Sequence, residues 1–102
     1  MSITISGGAK FQLGKLVATP GALKALEEAG QGPSFFIDKH VRGDWGECSA
    51  DDSAANDSAL VDGSRIFSVY RTLKNEKLWV ITEAVSDSGN RESTCILTPD
   101  EY

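Results

Sequence analysis

Arg65-Ile66-Phe67-Ser68-Val69-Tyr70, Leu78-Trp79-Val80-Ile81-Thr82-Glu83 and Glu92-Ser93-Thr94-Cys95-Ile96-Leu97-Thr98 decide the fold. Each is short, rich in β-branched and aromatic residues, and has a period of two, as a strand with two unlike faces requires. The stretches between them are turn chemistry: Leu73 to Lys77 around Asn75, and Ser86-Asp87-Ser88-Gly89-Asn90. Links this short join antiparallel neighbours, so the segment predicts a three-stranded antiparallel meander. Which parity is buried depends on register, because a slip of one residue exchanges the two faces.

Upstream of Gly63 the period is helical. Thr19-Pro20-Gly21 reads as a helix start, with Thr19 as N-cap and Pro20 in the first turn. Ala22, Leu23, Ala25, Leu26 and Ala29 give that helix one apolar stripe, and Gly30 ends it. Gly32-Pro33-Ser34 restarts the chain. Phe36, Ile37, His40 and Val41 then fall on one helical face, which Gly43 stops. Ser49 caps a third helix over about 50–61, with Asp51 and Asp52 in the first turn, where the helix dipole favours anions. Phe11, Leu13 and Val17 alternate with polar residues and predict a strand over 11–17; residues 1–10, with Gly7-Gly8 and an extended Ile3-Thr4-Ile5, read as a poorly ordered leader. The expected fold over 11–102 is one α+β domain: a short first strand, three helices, and the meander covered by them on one face.

The 102 residues suit one domain rather than two. The net charge of −5 is local: Asp44, Glu47, Asp51, Asp52, Asp57 and Asp62 put −6 into 19 residues without a Lys or Arg, and the other 83 residues sum to +1. Such a run is either a solvated face or a surface for a basic protein partner. Net charge gives no support to a nucleic-acid-coating role, although Arg65, Arg71 and Arg91 lie outside the acidic run and leave a nucleic-acid partner open. No apolar run approaches the ~20 residues of a membrane helix, and Met1 to Lys10 carries no signal-peptide pattern, so no membrane association and a cytoplasmic location are expected. Cys48 and Cys95 are expected reduced, and one His with two unpaired Cys implies no metal site and no cofactor.

Catalytic chemistry has one candidate set. Glu83, His40 and Arg91 (or Arg65) are the residue types that cleave RNA without metal. A carboxylate removes the 2′-hydroxyl proton, an imidazole protonates the leaving oxygen, and a guanidinium stabilises the phosphorane. His40 reads equally as a helix-end imidazole bonded to its surroundings, and Glu83 as a solvated residue at a strand end. Ser68, Tyr70, Thr82 and Thr94 come close together if the strands pair as read, and form a candidate binding set with Asp44, Trp45, Asp51, Asp52 and Asp57. Trp45, set between Gly43 and Gly46, offers a stacking face or closes the core between the second and third helices. Tyr102 either locks the last strand or presents a carboxylate.

Gly43-Asp44-Trp45-Gly46 and Thr94-Cys95-Ile96-Leu97-Thr98-Pro99-Asp100-Glu101-Tyr102, taken with Thr19 to Leu23 and Leu78 to Ala84, resemble a family of small bacterial proteins. These are mostly uncharacterised and often encoded on plasmids and other mobile elements. The resemblance runs from about Phe11 to Tyr102 and departs at Ser86 to Asn90, where this chain is longer before Arg91. It implies an association with mobile elements and no particular reaction. Two functional readings follow: an accessory or regulatory binding protein using the acidic segment or the Trp45 loop, and an RNase-like enzyme using His40, Glu83 and Arg91.

Overall fold

The computed structural model describes residues 8–102. Its elements are β1 (Lys15–Ala18), α1 (Pro20–Ala29), α2 (Pro33–Val41), α3 (Ala50–Asp62), β2 (Ile66–Arg71), β3 (Lys77–Thr82), β4 (Ser93–Leu97) and a 3-10 turn (Pro99–Glu101). The class is α+β. The three helices begin and end where local chemistry directs: Thr19 and Ser49 accept N-cap bonds from Ala22 and Asp52, and Gly30 and Gly63 close α1 and α3 in the left-handed conformation.

The sheet differs from the expected meander. It has four strands in the order β1-β4-β3-β2, and β1 pairs parallel with β4 while the other two pairings are antiparallel. The strand expected over 11–17 is confined to Lys15–Ala18. Gly14 breaks it: at φ +65 its α-carbon lies so near β4 that a β-carbon would stand 2.3 Å from the Arg91 carbonyl oxygen. Before that point Phe11 leaves the sheet and packs beside His40 and Trp45. Of the expected leader, residues 1–7, with Ile3 to Ile5, lie outside the described residues; the Lys10 amide donates to the Val41 carbonyl.

Register settles the parity. Ile66, Ser68, Tyr70, Leu78, Val80, Thr82, Thr94 and Ile96 are buried and share the inner face. One apolar cluster joins Ala22, Ala25 and Leu26 of α1 and Phe36 and Ile37 of α2 to Tyr70, Leu78, Val80 and Ile96. A second joins Trp45, Ala59 of α3 and Ile66. The outer face carries Phe67, Trp79, Ile81, Cys95 and Leu97. Glu101 ties the end of the chain back to α1: its carboxylate accepts from the Thr19 hydroxyl, the Gly21 amide and Thr98, which holds its pKa down at about 2. No helix among the described residues is long and apolar enough to cross a membrane.

Candidate functional site

His40 lies in the last turn of α2 and is completely buried, as are Ser68, Thr82 and Thr94. Their polar atoms form one chain: Ser68 Oγ to His40 Nδ1 at 2.6 Å, His40 Nε2 to Thr82 Oγ1 at 2.8 Å, and Thr82 Oγ1 to Thr94 Oγ1 at 2.7 Å. The far end fixes its direction. Thr94 donates to the Leu13 carbonyl at 2.7 Å, so it accepts from Thr82, and Thr82 in turn accepts from Nε2–H. A neutral ring then has Nδ1 unprotonated, and Ser68 donates to it. Burial, reinforced by the nearby Arg91 charge, pushes the His40 pKa down to about 3 and keeps the ring neutral.

A serine hydroxyl 2.6 Å from an imidazole, with a third group on the other ring nitrogen, has the outline of an activated nucleophile. The surroundings oppose that use. The ring is covered by Phe11, edge-on at 5.2 Å, and by Trp45 at 6.1 Å, and it lines neither of the two surface grooves described below. What the chain does is satisfy every polar atom in a layer between the two apolar clusters.

The other two members of the expected catalytic set lie elsewhere in function. Arg91 is buried, and its guanidinium donates to three backbone carbonyls: Ser64 at 2.7 Å, Glu83 at 3.0 Å and Ala59 at 3.1 Å. It closes the end of α3 onto the sheet, with its charge 5.7 Å from the Phe11 ring. Glu83 is exposed just beyond β3 and makes no side-chain bond to His40 or Arg91. Among the described residues, neither surface groove is lined by His40, Glu83 or Arg91. Ser68, Thr82 and Thr94 do meet, but under the helices; Tyr70 is buried beside them, donates its hydroxyl to the Asp44 carbonyl, and has its acidity suppressed by burial.

Trp45 takes the core role rather than the stacking one. It is 8% exposed, and its Nε1–H donates to Asp57 at 3.1 Å. Its backbone and that of Glu47 also pair with Val69 on the outer edge of β2. Gly46 between them is required there: a β-carbon would fall 1.9 Å from the Val69 carbonyl oxygen.

The acidic segment sorts into two groups. Asp44 pairs with Lys39 at 3.5 Å, Glu47 with Arg71 at 3.0 Å, and Asp57 holds the Trp45 indole. The Ser64 hydroxyl, together with the Ser64 amide that donates to Asp62, holds the Asp62 carboxyl below the usual carboxylate range. Asp51 and Asp52 are exposed in the first turn of α3, and their carboxylates have no ion pair among the described residues. Val61, 91% exposed, stands on the same helix.

Two surface grooves exist near this helix and the Trp45 loop. The smaller, about 230 Å3, lies over Phe35, Tyr70 and the Lys39–Asp44 and Arg71–Glu47 pairs. The larger, about 370 Å3, lies on the outer sheet face between α3 and Tyr102, over Phe67, Trp79 and Ile81. Sequence reading missed this second groove. Its signal was present in the odd-numbered aromatic residues of two strands, but only register places them side by side. Among the described residues no group of His, Cys, Asp and Glu is arranged to hold a metal ion. Both cysteines are free, and burial pushes both thiols up. Comparison of the chain with protein-family models, with curated proteins and with solved structures found no match.

Proposed function

We propose that this chain is a non-catalytic accessory or regulatory protein of the kind mobile elements encode, acting by binding a basic partner protein through the exposed face of α3. The reading rests above all on the distribution of the acids. Those near the Trp45 loop are engaged within the fold, whereas Asp51 and Asp52 project from the first turn of α3, with Ala54 and Ala55 exposed one turn on. Carboxylates interleaved with small and apolar side chains offer a partner both steering charge and contact area. The burial of His40 and the seat of Arg91 on three backbone carbonyls speak against ribonuclease chemistry at these residues.

The test is affinity capture from bacterial lysate with the wild type and with an Asp51→Asn, Asp52→Asn, Asp57→Asn triple variant. Asparagine at 57 keeps an acceptor for the Trp45 indole, so the core is spared. Basic proteins retained by the wild type are lost from the variant, and are also released from the wild type by raised salt. An unchanged set of captured proteins overturns the proposal.

A further inference from the structure

The outer groove has a composition that the acidic face alone does not explain. Its floor is Phe67, Trp79 and Ile81, on one face of β2 and β3, with the Phe67 and Trp79 rings edge-to-face at 5.1 Å. Tyr102 stands over Trp79 at 5.5 Å, also edge-to-face, and is held by Arg65, whose Nη2 donates to the tyrosine hydroxyl at 3.0 Å. Asp52 lines the α3 side. Three aromatic rings in a groove of about 370 Å3 suit a flat ligand of one ring system.

The polar groups narrow the class. Asp52 is an acceptor, and its carboxylate takes no hydrogen bond among the described residues. Arg65 spends one donor on Tyr102 and has others to offer. One negative and one positive group cancel, so the groove favours neither a cation nor an anion. What fits is an uncharged planar ring that stacks on aromatic surface and carries both N–H donors and ring acceptors on its edge. We infer that the groove between α3 and Tyr102 is a binding site for a nucleobase presented as a free nucleoside. A phosphate-bearing form gains nothing, because Asp52 on the α3 side offsets the Arg65 charge that would otherwise hold the phosphate.

This inference does not depend on the protein-binding reading, and Arg65→Gln separates the two, since Arg65 lies off the α3 face. The measurement is a titration of the folded chain with adenosine, guanosine, cytidine and uridine, followed by the indole N–H resonances. At least one nucleoside shifts the Trp79 signal saturably, while Trp45, buried and held by Asp57, serves as the unmoved internal control. Asp52→Asn and Arg65→Gln, both at exposed positions, each weaken that binding about tenfold, as loss of one charge-assisted bond implies. Absence of a saturable shift up to about 10 mM of all four nucleosides overturns the inference. So does tighter binding of benzamidine, benzoate or the matching nucleoside monophosphate, and so does unchanged affinity in both variants.

Discussion

His40 occupies a site where the protonation state of one ring is part of folding. In the unfolded chain it titrates at the ordinary value near 6.5; in the folded chain burial holds it at about 3. Between those values the unfolded state binds a proton that the folded state refuses, so stability is complete above pH 6.5 and falls as pH drops towards 3. Lowering the pH from 7.5 to 5 therefore removes about 2 kcal/mol. Glu101 does not confuse the window: its depressed carboxyl contributes stability that is complete above about 4.5 and is lost progressively as pH falls from there to about 2. Urea unfolding at the two pH values measures the difference, and His40→Gln flattens it. Equal slopes in wild type and variant would show that another group carries the dependence. The sequence showed a single His at a helix end, from which a structural role was readable. Its partners were not, because Ser68, Thr82 and Thr94 join it only through strand register. Arg91 was harder still, since backbone carbonyls from three separate segments leave no mark on the sequence.

At the scale of elements, the contact between α3 and β2 explains how an edge strand is kept from pairing with other chains. Asn56 imitates a neighbouring strand: its amide donates to the Phe67 carbonyl at 2.6 Å, and its oxygen accepts from the Phe67 N–H at 3.0 Å. Two residues on, Val69 donates to the Trp45 carbonyl and accepts from Glu47. The outward groups of Phe67 and Val69 are thereby occupied, which is one way of blunting an edge. Asn56→Ala leaves the Phe67 N–H without a partner and its carbonyl with only the weak Cys48 thiol donor, and costs about 2 kcal/mol. Asn56→Asp costs more, because a carboxylate then faces the Phe67 carbonyl oxygen. Denaturant midpoints rank the three proteins; an alanine variant within about 0.5 kcal/mol of wild type would mean that solvent replaces the amide without loss. The elements themselves were legible wherever their signal was local. Caps at Thr19 and Ser49 and glycines at 30 and 63 mark the helices, and alternation marks β2, β3 and β4 to within a residue or so. Alternation overextends β1 because Phe11 and Leu13 alternate like strand residues, while the left-handed Gly14 interrupts the strand in a way that alternation does not register.

For the whole molecule, the two edges of the sheet are built unequally. β2 is covered by α3 and by the Trp45 loop, whereas β1 is four residues long and has three of them exposed. β1 also joins β4 across nearly the full length of the chain, Lys15 opposite Ser93, in a parallel pairing that no local pattern announces. This is why the expected sheet lacked a strand. Parallel pairing directs alternate residues of β1 to the two sides: Lys15 donates to the Glu92 carbonyl and Thr19 to that of Ile96, so Leu16 and Ala18 turn their amides outward. Native-state amide exchange reads this asymmetry directly. Phe67 and Val69, although on an edge strand, exchange with protection comparable to the central strands because their amides end on Asn56 and Trp45. Leu16 exchanges close to the rate of an unprotected amide, at least about a hundredfold faster than Val69. Asn56→Ala brings Phe67 towards the Leu16 rate and leaves Val69 nearly unchanged, since the Trp45 loop holds Val69 separately. Equal protection on both edges in the wild type would mean that β1 is covered in solution, and that its pairing with β4 is not where the sheet ends.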